Sequence, residues 1–140
     1  MPPLCAALWI PGPLPGLNDM IAKQSRARGF RYEDLKEKWT NDIAMLARSA
    51  RVPHFSRVHI DYLWVERNHK RDPSNIAAGG RKLVEDGLVA AKVLDNDGWE
   101  EIDGWLDSFV VDKAHPGVLV KITGKYALHN TRKSDRLTRC

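Results

Sequence analysis

Between Lys70 and Trp99 the chain gathers Asp72, Asn75, Lys82, Asp86, Asp95 and Asp97, with Lys70 and Arg71 at the head of the stretch. Hard oxygen ligands, a lysine and flanking cations are the groups that metal-assisted phosphate chemistry uses. Magnesium keeps several of its waters, so two carboxylates from loop and helix-end positions are enough to hold it against a phosphate. A lysine beside them offsets charge that develops on the phosphoryl oxygens.

The element that must position these groups starts at Asp72-Pro73. Proline fixes its own φ and pushes the preceding residue out of the α region, so Asp72 is a natural N-cap and Pro73 the first helical residue. From Ile76 onward, apolar or small residues at 76, 80, 83, 84, 87, 88 and 91 keep to one face of a 3.6-residue period. That predicts a helix over 73–91 with an inward apolar face. Asn75, Gly79, Lys82 and Asp86 form a polar stripe beside it. Each of these residues also has a plain structural reading: Asp72 as a cap worth about 1 kcal/mol, Lys82 and Asp86 as an i, i+4 pair worth roughly a few tenths of that, and 95–98 as a solvated turn.

Three runs carry a family resemblance: Lys70-Arg71-Asp72-Pro73-Ser74-Asn75, Gly80-Arg81-Lys82-Leu83-Val84-Glu85-Asp86-Gly87-Leu88 and Val93-Leu94-Asp95-Asn96-Asp97-Gly98-Trp99. Together they resemble the RusA-type endodeoxyribonucleases, over about residues 57 to 122, with a weaker echo at Pro13-Leu14-Pro15-Gly16-Leu17-Asn18. The resemblance implies a magnesium-dependent homodimer that resolves Holliday junctions, with manganese as the alternative ion. It implies metal-binding and catalytic roles for Asp72 and Asp97 and a catalytic role for Lys82, supported by Asn75, Asp86 and Asp95. Ser74 and Asn96 stand where many members carry further aspartates. Lys82 matches the family lysine if an extra helical turn precedes it; without that turn the position is Ala78. The step of four residues to Asp86 and the shared stripe favour Lys82.

Geometry leaves the assembly of this site open. In one unbroken helix, Asn75 and Asp86 stand about 16 Å apart along the axis and cannot share a metal. The six residues from Lys92 to Asp97 span at most about 20 Å, so Asp97 either returns toward Asp72 or stays near Asp86. Gly79-Gly80 weakens a helix interior by roughly 2 kcal/mol relative to alanine, and a kink or late start there would bring Asp72 closer to Asp97.

A chain of 140 residues that is 43% hydrophobic fits one domain, and no apolar run approaches the roughly 20 residues that span a bilayer. No membrane association is expected. The run Leu4 to Ile10 lacks a positive leader and meets Pro11, Pro13 and Pro15, so it reads as a first strand rather than a signal peptide. Cys5 and Cys140 make no zinc spacing and no disulfide framework, which fits a reducing cytoplasm, bacterial or phage-infected. The net charge of +4 sits wholly in 124–140, where five basic residues face Asp135. In the body, Lys23, Arg26, Arg28 and Arg31 form one basic cluster and Arg67, Lys70 and Arg71 another, whereas 95–112 is acidic without a base. Cations around an acidic pocket suit an enzyme that grips the backbone of branched DNA, and paired nicks at a two-fold junction suit a homodimer. Two other function classes are consistent with these features: a junction-binding or architectural protein with weak or no catalysis and, ranking lower, a phage protein that binds protein partners through its acidic 95–112 segment.

The remaining elements follow from period and punctuation. Leu4 to Ile10 reads as a strand, followed by a Pro/Gly turn and a basic loop. A helix runs from about Tyr32 to Arg51, with Arg48 complementing its dipole, and Pro53 stops it. Val58 to Val65 alternates as a strand with one strongly apolar face. Trp105 to Val111 and Val118 to Thr123, joined by a turn-rich segment, read as an antiparallel hairpin. The sum is an α+β single domain, a mixed sheet of about four strands with two main helices on one face, over 1–123, and a basic tail over 124–140. Trp99, just after the acidic turn, is placed either to pack or to stack on an unpaired base.

Overall fold

The structure, a computed structural model, describes residues 4–25, 32–126 and 138–139, with side chains described over 4–21 and 32–124. In chain order the elements are β1 (Leu4–Pro11), α1 (Leu17–Ser25), α2 (Tyr32–Ser49), β2 (Phe55–Glu66), α3 (Pro73–Ala90), β3 (Ile102–Val111), β4 (Gly117–Tyr126) and the short β5 (Thr138–Arg139). The strands form one mixed sheet in the order β3-β2-β4-β1-β5. Four long strands and helices over one face give the α+β architecture expected. The uncovered face carries Trp9, Leu106, Val110 and Leu119, all exposed.

β2 is the organising strand. It pairs parallel with β3 and antiparallel with β4, and Val58, Ile60, Tyr62 and Trp64 along its inner face are all buried. The expected β3–β4 hairpin does not form, because β2 lies between the two strands. Two features select this arrangement over a hairpin. A strand, helix and strand in sequence make a parallel crossover unit, which seats β3 beside β2 through α3. The five residues 112–116 are long enough to step over one strand, about 10 Å at sheet spacing, and Asp112 N donates to Glu66 O at 2.9 Å as they pass.

A helix the sequence reading treats as loop, α1, follows the Pro/Gly turn and buries Met20. Leu14 and Met20 join a core built from α2, α3 and the inner faces of β1, β2 and β4. Arg48 caps a neighbouring helix rather than only its own: its NH2 donates to Ala90 O, at the end of α3, at 2.9 Å. The expected domain edge at residue 123 falls inside β4, and the tail over 127–137 lies outside the described residues. Cys5 is disulfide-bonded, against the expectation of isolated thiols. β5 provides the physical reason, since its antiparallel pairing sets Thr138 opposite Cys5 and so brings the two ends of the chain together.

Gly79 and Gly80 do not bend α3, which runs unbroken from Pro73 to Ala90. They remove side chains where neighbours come too close for one. A Cβ on Gly79 would sit 2.6 Å from the backbone nitrogen of Leu17, and one on Gly80 would overlap the Trp64 ring. Alanine at either position gains about 1 kcal/mol in helical propensity, but overpacking costs typically about 1–3 kcal/mol. The Gly79 site has backbone as its neighbour, which cannot rotate away. Gly79→Ala and Gly80→Ala should therefore each lower the urea midpoint of unfolding, Gly79→Ala more. A raised midpoint for either would mean that the helix tolerates these glycines without needing them.

Candidate active site

The loop after α3 decides where Asp97 goes. α3 ends with Lys92 at φ 66° and with Val93 N bonded to Leu88 O at 2.9 Å, a left-handed exit that turns the chain back along the helix. Val93 and Leu94 are buried, and Phe55 N donates to Val93 O at 2.8 Å, which pins the loop to the first residue of β2. Ile102 N and Glu101 N then bond to Gly98 O and close the turn. Asp97 is thereby held against the side of α3. Lys82 Nζ donates to Asp97 Oδ2 at 2.7 Å and lies 3.2 Å from Asp86 Oδ1, so the helical stripe and the acidic turn meet. Asp95 stays outside this group, with Oδ1 2.9 Å from His54 Nε2.

Electrostatics follow the contacts. The Asp97 hydrogen bond raises the Lys82 ammonium above its ordinary value, and the same bond holds the Asp97 carboxyl below its own. Asp86 also faces Lys36 of α2, with Nζ 3.5 Å from Oδ2. Nearby, Glu85 is buried at 6% exposure and accepts from Tyr62 OH at 3.0 Å. Burial pushes the Glu85 carboxyl up, and the Tyr62 bond offsets part of that rise. Asp107 of β3 accepts from Trp64 Nε1 at 2.9 Å and Arg81 NH1 at 2.7 Å. Lys36, Glu85, Arg81 and Asp107 were not singled out from the sequence. Lys36 and Asp107 come from other elements, and the period of α3 gives no sign that Glu85 is buried.

The other end of α3 is organised differently. Asp72 is the N-cap residue, with φ −73° and ψ 146°, and its side chain makes no capping hydrogen bond. It is exposed and lines a cavity of about 170 Å³ with Glu66, His69 and Val111. Asn75 is occupied in holding the chain: its Oδ1 accepts from Asn18 N at 2.7 Å, capping the first turn of α1. Arg71 forks onto Glu66 through Nε and NH2, both at 2.9 Å, while NH1 bonds to Leu14 O and to Asp19 Oδ2. Its donors are spent on joining β2 to the turn before α1. Lys70 is exposed beside it. Lys23 belongs to α1, but its side chain, like Arg26, Arg28 and Arg31, lies outside the described residues.

The predicted constellation is thus split. Lys82, Asp86 and Asp97 meet, whereas Asp72 is ten residues before Lys82, roughly 15 Å along the helix axis. Asp97 and Asp72 border separate cavities that flank opposite ends of β3, one reaching Ile102 to Trp105 and the other Phe109 to Val111. A single protomer does not fit a magnesium ion between these two carboxylates, and no cluster of three metal-ligating side chains occurs among the described residues.

Linkage gives the pH behaviour of the assembled half. The lowered Asp97 value means that the pair stabilises the fold above the ordinary carboxylate range and loses that contribution as pH falls through the lowered value. The raised Lys82 value means that it stabilises below the ordinary lysine range and fades as pH rises through the raised value. In a carbon-detected NMR titration, Asp97 should titrate below 3.8, and Lys82→Ala should move its midpoint upward. A midpoint unaffected by Lys82→Ala would show that the pair does not persist in solution.

No protein-family model matches this chain, and no curated protein is significantly similar to it.

Proposed function

We propose that this protein is a structure-selective endodeoxyribonuclease that resolves four-way DNA junctions by magnesium-dependent phosphodiester hydrolysis, working as a homodimer. The observation that carries the reading is Lys82, half-exposed and held 2.7 Å from Asp97 and 3.2 Å from Asp86. Lys82 is the open member of the group, 52% exposed, while the Asp97 and Asp86 carboxylates that hold it are only 24% and 19% exposed, so the ammonium is fixed at the solvent boundary. A cation fixed beside open solvent is aimed where phosphate charge develops. The pair also joins the two stretches, 80–88 and 93–99, that resemble the RusA-type enzymes.

A two-fold partner accounts for the distance between Asp72 and Asp97. β3 is a ten-residue edge strand without proline, lysine or arginine, and Trp105, Leu106, Phe109, Val110 and Val111 along it are exposed. An edge of that length and composition is a template for another strand. Antiparallel pairing with the same strand of a second copy, centred on Ser108, sets Leu106 against Val110 of the partner subunit and Trp105 against Val111 of the partner subunit. No like charges oppose each other in this register. The two-fold then carries Asp72 of the partner subunit toward the end of β3 where Asp97 lies, and makes two symmetric sites. Asp97 and Asp72 of the partner subunit would hold magnesium there, and the ion would supply a Lewis acid and activate a water. Lys82 offsets charge on the scissile phosphate, Asp86 positions Lys82, and Lys70 with the 23–31 cluster grips backbone. Arg71 acts by holding the turn beside Asp72.

The test is a labelled mobile four-way junction incubated with magnesium or with EDTA. Metal-dependent paired nicks are expected. Asp72→Asn, Asp97→Asn and Lys82→Ala should each reduce nicking on the order of a hundredfold or more, with junction affinity nearly intact because phosphate contacts from other cations supply it. A shift of the junction without nicks would favour the binding protein instead, a reading to which Ser74 and Asn96, in place of further carboxylates, lend weight. Neither nicks nor a shift would overturn both.

A further inference from the structure

We propose that the cavity beside Asp97 is a seat for one unpaired nucleobase, stacked on Trp99, a reading that rests on the nuclease proposal and extends it. The cavity measures about 450 Å³ and is lined by Asp97, Trp99, Trp105, Arg57, Ile102 and Asp103 among others. That size is within the range of small-ligand sites.

Trp99 is 95% exposed, yet its backbone belongs to a fastened turn. Arg57 NH1 donates to Trp99 O at 3.3 Å and to Glu100 O at 3.4 Å, and Gly98 N donates to Glu101 Oε1 at 3.2 Å. An indole presented to solvent by so constrained a turn is preorganised to receive a flat partner. Trp105 stands on β3, half-exposed, with the Arg81 guanidinium 4.8 Å from its ring centre. Arg81 anchors that ring on one side, and Arg81 is itself tied to Asp107. Trp105 closes the back of the cavity, and the open indole of Trp99 suits a π-faced ligand.

The lining is mixed in charge, with Arg57 beside Asp97 and Asp103. Lys82 is bound to Asp97 on the cavity wall, and Arg57 lies on the wall itself. A base stacked on Trp99 shares the cavity with Arg57, and the Lys82–Asp97 pair stands at its edge. Stacking of this kind is indifferent to base identity, which suits bases that are left unpaired at a branch point whatever their sequence.

The test uses the full chain in EDTA, so that no cleavage intrudes. A single-stranded oligonucleotide of about a dozen residues carrying one 5-iododeoxyuridine is irradiated with the protein and the crosslinked peptide identified by mass spectrometry, with the matching blunt duplex as control. The crosslink should fall on Trp99 with the single strand and be lost with the duplex. Trp99→Ala should weaken single-strand binding by about fivefold to a hundredfold and leave the melting temperature unchanged, as an exposed side chain allows. Crosslinks confined to other segments, or wild-type affinity in Trp99→Ala, would overturn the seat. Metal-dependent nicking of a junction by the wild type is scored separately: nicks without the crosslink reject the base seat and keep the nuclease, whereas the crosslink without nicks does the reverse.

Discussion

Helix α3 lies against Trp64 and against the turn at Gly16 with no side chain at residues 79 and 80 to hold it off, and that close approach fixes the place of every charged group on it. An unbroken helix of 18 residues, clamped between β2 and the turn before α1, cannot fold its two ends together. Asp72 is held at one end and the Lys82, Asp86 and Asp97 group toward the other. Gly87 extends the same device to α2, since a Cβ there would overlap Ile43. The helix that positions the candidate chemistry is therefore also what separates its parts.

The polar contacts around α3 divide by role. Arg71, Glu66, Asn75 and Asp19 join β2, α3 and the segment leading into α1, with Arg71 and Glu66 largely withdrawn from solvent. Losing one partner of such a fork leaves the other desolvated without compensation, which is costly. Lys82 is more open, although its partner Asp97 is as withdrawn as Arg71. A basic residue next to an expected metal ligand thus serves architecture, while the lysine ten positions beyond the carboxylate carries the accessible charge.

Much of this was legible in the sequence, for identifiable reasons. Pro73 after Asp72 set the start of α3, the 3.6-residue period gave its inner face, and the four-residue step from Lys82 to Asp86 gave the stripe on which Asp97 lands. Strand pairing was not legible. The apolar content of Trp105 to Val111 and the turn residues after it mark a strand but not which neighbour the strand takes, and five residues serve equally for a hairpin turn or a step across β2. The bond from Asn18 to Asn75, 57 residues apart, has no local signature, nor does the buried Tyr62–Glu85 contact. Gly79-Gly80 was ambiguous for a related reason: glycine in a helix marks either a break or a close neighbour, and only the neighbour, Trp64 or Leu17, tells which.

The central claim is that Asp72 and Asp97 act together only across a two-fold axis, and subunit mixing tests it most directly. Asp72→Asn and Asp97→Asn proteins, each inactive alone, are mixed, allowed to exchange subunits and assayed for single nicks in a junction. A site shared between copies leaves each mixed dimer with one intact pair, Asp72 from one subunit and Asp97 from the other, so nicking should return to roughly a quarter of the wild-type level under random exchange. A mixture as inactive as its two components, with exchange verified by a size-tagged subunit, would contradict the account.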